Sequence, residues 1–125
     1  RKDHGIPGIY FQLGQEAVEF YGGAYMPDKE SLHKIREYIA NNLLKFKSLM
    51  RDADFVKHFG SLQGERNKVL PVEFKAAAVK EPLLFNKQFY YGARLPARAV
   101  TDAKLADVLM AHYSAMRGMN DFLLR

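Results

Sequence analysis

Residues 8 to 28, GIYFQLGQEAVEFYGGAYMPD, constrain the fold more than any other stretch of this chain. Ile9, Phe11 and Leu13 alternate with Tyr10 and Gln12, and Val18 and Phe20 alternate with Glu19 and Tyr21. That period of two is the mark of half-buried strands. The Gly14-Gln15-Glu16 link is short enough to make them a hairpin. Gly22 and Gly23 then permit a bulge or a backbone conformation closed to other residues. Pro27 and Asp28 open a helix, Pro suited to its entry and Asp to a cap whose carboxylate accepts a free backbone N–H.

Leu32, Ile35 and Ile39 follow at helical spacing, and the Asn41-Asn42 pair interrupts that helix. A second helix is expected over Leu43 to Met50 and a third over Asp54 to Phe59, with Asp52 or Asp54 as cap and Gly60 as stop. Residues 60 to 72 read as a surface connection containing one short extended piece. Phe74 to Val79 make a brief helix, and Pro82 marks its end or a new entry. Phe89, Tyr91 and Ala93 alternate with Tyr90, Gly92 and Arg94 in a third strand that Leu95-Pro96 terminates. The longest helix, capped by Thr101 or Asp102, carries the stripe Leu105, Val108, Leu109, His112, Met116, Met119 and Leu123 and is expected to lie across one sheet face. The order describes an α+β fold: a small antiparallel or mixed sheet with helices packed on one face, part of a larger sheet in the intact protein.

A chain of 125 residues, 48% hydrophobic and 26% charged, is sized for one domain with one core. No apolar run approaches the roughly 18 to 20 residues that cross a bilayer, so no membrane partner is expected and the composition reads as soluble and cytoplasmic. With no cysteine, disulfides and thiolate metal sites are excluded. The chain opens at Arg1, and its first seven residues read as a loop cut into, which suggests a longer parent protein. The formal charge of +5 is scattered without a run of five, and is either a solvated surface or an anion-binding face.

No residue set meets a recognised catalytic plan. His4, His33, His58 and His112 fall in different elements without metal-ligand spacing, so neither a metal site nor a cofactor is expected. His112 reads as a hydrogen-bonded core residue, and His33 and His58 as exposed helix residues. The serines lack a nucleophile elbow. Gly22 and Gly23 lie ahead of a helix N-terminus, where backbone N–H groups attract phosphate, but lack the lysine and serine of a phosphate loop; a structural bulge is the competing reading. The sharper cluster lies on the strands. Tyr10 and Gln12 share a face of the first strand, Tyr25 follows the glycine pair, Lys87 stands at the entry to the last strand, and Tyr90 and Arg94 lie along it. Side by side, these candidates make a polar-aromatic surface suited to an anionic, planar or nucleotide-like ligand. Alternatively, the tyrosines cover a helix-packed sheet with hydroxyls at its rim.

The segments Gly8-Ile9-Tyr10-Phe11-Gln12-Leu13 and Gly22-Gly23-Ala24-Tyr25-Met26-Pro27 resemble the glycine, aromatic strand and the glycine-rich Met-Pro turn of the domain-of-unknown-function 2461 family. Asp54-Phe55 to Gly60, Leu84 to Phe89 and Asn120-Asp121-Phe122-Leu123 are similar to further family segments, whereas Pro71-Val72-Glu73-Phe74 keeps only part of a Pro-Arg-Gly-Tyr loop. The resemblance implies that the chain is the C-terminal portion of a roughly two-hundred-residue domain of no established activity, lacking a basic strand that precedes it. The leading expectation is a domain binding an anionic small molecule or nucleic acid. One alternative is a hydrolase-like enzyme whose catalytic groups lie mainly in the absent N-terminal part; another is an interaction module using the His33 to Phe59 helices.

Overall fold

The alternation in the first strands gives the expected hairpin in the computed structural model, which describes residues 8–123. Strand β1 (Gly8–Leu13) runs antiparallel to β2 (Ala17–Ala24), and the Gly14 N–H donates to the Ala17 carbonyl at 2.9 Å to close the turn. β3 (Phe89–Pro96) pairs antiparallel with the other edge of β2, from Ala17 opposite Pro96 to Ala24 opposite Phe89. The sheet order among the described residues is β1-β2-β3, wholly antiparallel rather than mixed.

The bulge expected at Gly22 and Gly23 is absent: the ladder continues one for one, Gly22 opposite Tyr91 and Gly23 opposite Tyr90. The glycines admit neighbours instead of an extra residue. A Cβ on Gly22 would stand 2.7 Å from the Tyr91 ring, and one on Gly23 would collide with the Phe89 carbonyl oxygen. Gly23 also has φ +87°, a conformation that side chains oppose.

Helix α1 (Lys29–Asn41) begins as the sequence indicates, with the Asp28 carboxylate accepting from the Ser31 N–H at 2.8 Å. The bonds from Ser31 hold that carboxyl below its ordinary range. Helix α2 (Leu43–Arg51) follows the Asn42 interruption; α3 (Ala53–Phe59) is capped by Asp52, which accepts from the Phe55 N–H at 3.1 Å. The connection beyond Gly60 makes two single bridges, Gln63 to Tyr90 of β3 and Arg66 to Asn86 ahead of it, which supply the short extended piece. Helix α4 (Lys75–Lys80) is brief, and Pro82 opens a 3-10 turn, Pro82–Phe85, capped by Glu81 accepting from the Leu83 N–H at 3.0 Å. Helix α5 (Asp102–Leu123) is the longest, and the side chain of Asp102 lies outside the described residues.

α5 and α3 pack on one face of the sheet. Val18, Phe20, Phe89 and Tyr91 of that face meet Met116, Met119 and Phe122 of α5 and Phe55 and Phe59 of α3 in one buried cluster. A fully buried phenylalanine such as Phe20 contributes on the order of 2–3 kcal/mol through the apolar surface it withdraws from water. His112 is a core residue, as its place in the stripe indicates: its ring stacks on Phe20 with centroids 4.0 Å apart, and its Nδ1 is 2.9 Å from the Val108 carbonyl oxygen. His58 departs from the expected exposure. Its side chain is only 15% exposed because α3 docks against α5, which sets the His58 ring edge-on to His112 at 4.7 Å. Among the described residues, no helix is long and apolar enough to cross a membrane.

Candidate functional site on the outward face of the sheet

Side chains alternate between the faces of a sheet, and directly opposed residues of antiparallel strands share a face. The register therefore sorts the strand residues without further assumption. Phe11, Phe20 and Ala93 form one row toward the helices. The opposite face carries Tyr10, Tyr21 and Gly92 in one row and Gln12, Glu19 and Arg94 in the next, with Tyr90 opposite Gly23 beyond the tyrosines. Among the described residues no helix covers this side, and Tyr10, Tyr21 and Tyr25 are 53%, 37% and 59% exposed.

The face grades from aromatic to charged. At one end Tyr25 meets Tyr90 edge-on, with ring centroids 4.9 Å apart. In the middle Tyr10 and Tyr21 lie 6.0 Å apart, and the Tyr21 ring extends over Gly92, where a Cβ would stand 2.7 Å from it. The Tyr10 hydroxyl donates to the Gln12 Oε1 at 3.1 Å, linking the aromatic row to the polar one. In the polar row Arg94 Nε lies 3.3 Å from Glu19 Oε2, the arginine mostly exposed and the glutamate half-buried. Burial, followed by the charge of Glu19 and a hydrogen bond to it, raises the Tyr21 phenol above its ordinary pKa; the phenol is therefore neutral near neutral pH. Beside this row a depression of about 370 Å³ is lined by Gln12, Gln15, Glu16, Glu19 and Arg94.

Of the sequence candidates, Tyr10, Gln12, Tyr25, Tyr90 and Arg94 therefore lie on this face or at its end. Lys87 does not join them. It stands two residues before β3, where its Nζ is 3.6 Å from Glu65 Oε1 and its backbone N–H donates to the Glu65 carbonyl. Gly22 and Gly23 are committed to the interior. The Gly23 N–H donates at 3.0 Å to Asn120 Oδ1, which also accepts from the buried Tyr91 hydroxyl. That N–H already has a partner and is not offered to a phosphate.

Glu19 and Tyr21 were not picked out by sequence reasoning, although they sit at the centre of the face. Their alternation with Val18 and Phe20 was readable, but their neighbours depend on hairpin register. Asn120 was likewise missed, since a polar residue near the end of a helix gives no sign that it reaches back to the first hairpin. Among the described residues, no group of three or more His, Cys, Asp or Glu side chains is placed to hold a metal ion.

These features define an α+β domain with one sheet face packed by helices and the other left open among the described residues. The chain belongs to the family described as conserved hypothetical protein DUF2461, whose model matches residues 1–122, essentially its whole length. That match bears out the family expected from the strand and turn segments, but not the expectation that the chain is only its C-terminal portion. No curated protein and no solved structure matches the chain.

Proposed function

We propose that the outward face of the sheet binds a planar, anionic ligand of the nucleotide class, either free or as part of a single-stranded nucleic acid. The observation that carries this reading is the row of exposed tyrosines running into Arg94 on a sheet face that no helix covers among the described residues. Tyrosine rings on an open sheet provide stacking surfaces for bases, each worth about 1–3 kcal/mol. Arg94 adds charge-assisted hydrogen bonds: among the described residues its Nε is paired with Glu19, and its side chain is 65% exposed. Because its arginine is mostly exposed, an ion pair of this kind contributes on the order of 1 kcal/mol, so a ligand can share it at little cost. The net charge of +5 favours approach of an anion at long range. A cytoplasmic setting, where nucleotides are available, is part of the same proposal.

The test is titration with mixed mononucleotides and short single strands at two salt concentrations, followed by tyrosine fluorescence, which the absence of tryptophan leaves unobscured. Binding that weakens with added salt, and that falls about tenfold in Tyr21→Ala and in Arg94→Gln, is expected. Identical weak signals from wild type and both variants would contradict the proposal.

A further inference from the structure

The Arg94–Glu19 pair is a second feature of the outward face, separate from its stacking surface. The Glu19 carboxylate 3.3 Å from the arginine lowers the attraction of the pair for a bare anion and adds acceptors that a bare anion does not use. Here the half-buried Glu19 sits in the middle strand, with Arg94 opposite it on β3, Gln12 opposite it on β1, and Tyr21 two residues along the same face. The Glu19 carboxylate is already bonded to Arg94 Nε and to the Tyr21 side chain, but a carboxylate has about four acceptor positions, so the pair presents guanidinium N–H donors immediately beside remaining carboxylate acceptors.

We infer that this strip recognises guanine. Resting on the nucleotide reading above, it narrows that reading to one base. Guanine carries, in consecutive order along its edge, the acceptors N7 and O6 and then the donors N1–H and N2–H. Arginine pairs with the first two in a bidentate manner, and a carboxylate accepts from the last two. No other common base matches this order. Adenine sets its N1 acceptor against the carboxylate, cytosine sets its N3 acceptor there, and uracil flanks its one N–H with two carbonyl oxygens. Tyr21, whose ring lies over Gly92 in the adjoining row, is placed to stack against a base held in this way. The 370 Å³ depression beside Gln12, Glu19 and Arg94 gives the base edge room to enter.

The experiment compares GMP, IMP, AMP and ribose 5-phosphate on the intact chain by calorimetry, in wild type and Glu19→Gln. Thermal unfolding of the variant establishes that it folds. Wild type is expected to bind GMP about tenfold more tightly than AMP, with IMP between them because it lacks N2–H. Glu19→Gln is expected to lose most of the GMP preference while leaving AMP within about twofold. Equal affinity for GMP and AMP, or a preference that survives in Glu19→Gln, overturns the guanine assignment but leaves nucleotide binding standing. Absence of binding by every nucleotide, and by short single strands with and without guanine, overturns both. With guanine preference established, tighter binding of a guanine-containing strand than of GMP identifies the strand as the source of the base, and the reverse order identifies the free nucleotide.

Discussion

Asn120 links the first hairpin to the last helix through one oxygen that accepts from both the Gly23 N–H and the Tyr91 hydroxyl. Burial raises the pKa of that phenol, so it acts as a neutral donor throughout the ordinary pH range. Replacing Asn120 by Ala leaves the buried Gly23 N–H without its acceptor and the Tyr91 hydroxyl with only the longer bond to the Met116 carbonyl at 3.4 Å, and is expected to lower stability by about 2–3 kcal/mol in urea unfolding. Tyr91→Phe removes one donor and keeps the ring over Gly22; its expected cost is only about 1 kcal/mol. Equal losses for the two variants would place the stabilisation in the Tyr91 hydroxyl bond alone and leave none to the Gly23 N–H. Gly23→Ala is expected to cost about 3 kcal/mol by the same measurement, because φ is positive and the new methyl group meets the Phe89 carbonyl. His112 adds a dependence on pH. Burial, with a further contribution from the neighbouring His58, holds its imidazole below the ordinary pKa, while its bond to the Val108 carbonyl offsets part of that shift. The unfolded chain therefore takes up this proton more readily than the folded one. Stability is expected to be fully present above about pH 6.5 and to fall as pH drops below it toward the folded pKa. Unfolding curves between pH 7.5 and 5.5 should show that slope in wild type and a flatter one in His112→Phe.

At the scale of elements, the entry to β3 is held by three hydrogen bonds from two elements, α1 and the connection beyond Gly60. Arg36 of α1 donates through Nη2 to the Asn86 carbonyl at 2.8 Å, Asn67 N–H donates to Phe85, and Lys87 N–H donates to Glu65. Arg36 is buried, desolvation lowers its pKa, and among the described residues its Nε has no hydrogen-bond partner. Its hydrogen bonds to the chain thus hold a charge that burial opposes. Arg36→Met is expected to speed hydrogen exchange at the Asn67 and Lys87 amides by about tenfold while leaving the β1–β2 ladder protected; uniform acceleration would mean global destabilisation alone. The helices and strands themselves were largely legible, because Asp28, Asp52 and Gly60 are local signals that act on their own segments. Neighbours were less legible. The Gly14-Gln15-Glu16 link lies between the strands as expected, but the register that pairs Leu13 with Val18 could not be read from it, and a one-residue difference in register exchanges one face for the other. Tyr10 and Gln12 could be placed on one face from alternation, whereas the Glu19–Arg94 contact required the pairing of β2 with β3. Lys87 fell away for a similar reason, since its partner comes from the 60 to 71 connection, where periodicity carries no information.

For the molecule as a whole, the two sides of the sheet have different tasks. One side supplies the core, and the helices that cover it account for the buried cluster. The other retains tyrosines, amides and one ion pair without helical cover among the described residues, an arrangement that contributes little to stability and leaves those groups available. Large exposed apolar residues such as Leu44, Val72 and Val79 come from separate elements, and single exposed apolar side chains are ordinary on a protein surface. The outward face is the region on which the functional account depends. The most direct measurement is an amide and side-chain NMR titration of the intact chain with GMP. The account predicts shifts concentrated at Tyr10, Gln12, Glu19, Tyr21 and Arg94, with α5 and the buried cluster unmoved. Shifts confined to the helices, or none at millimolar ligand, would contradict it.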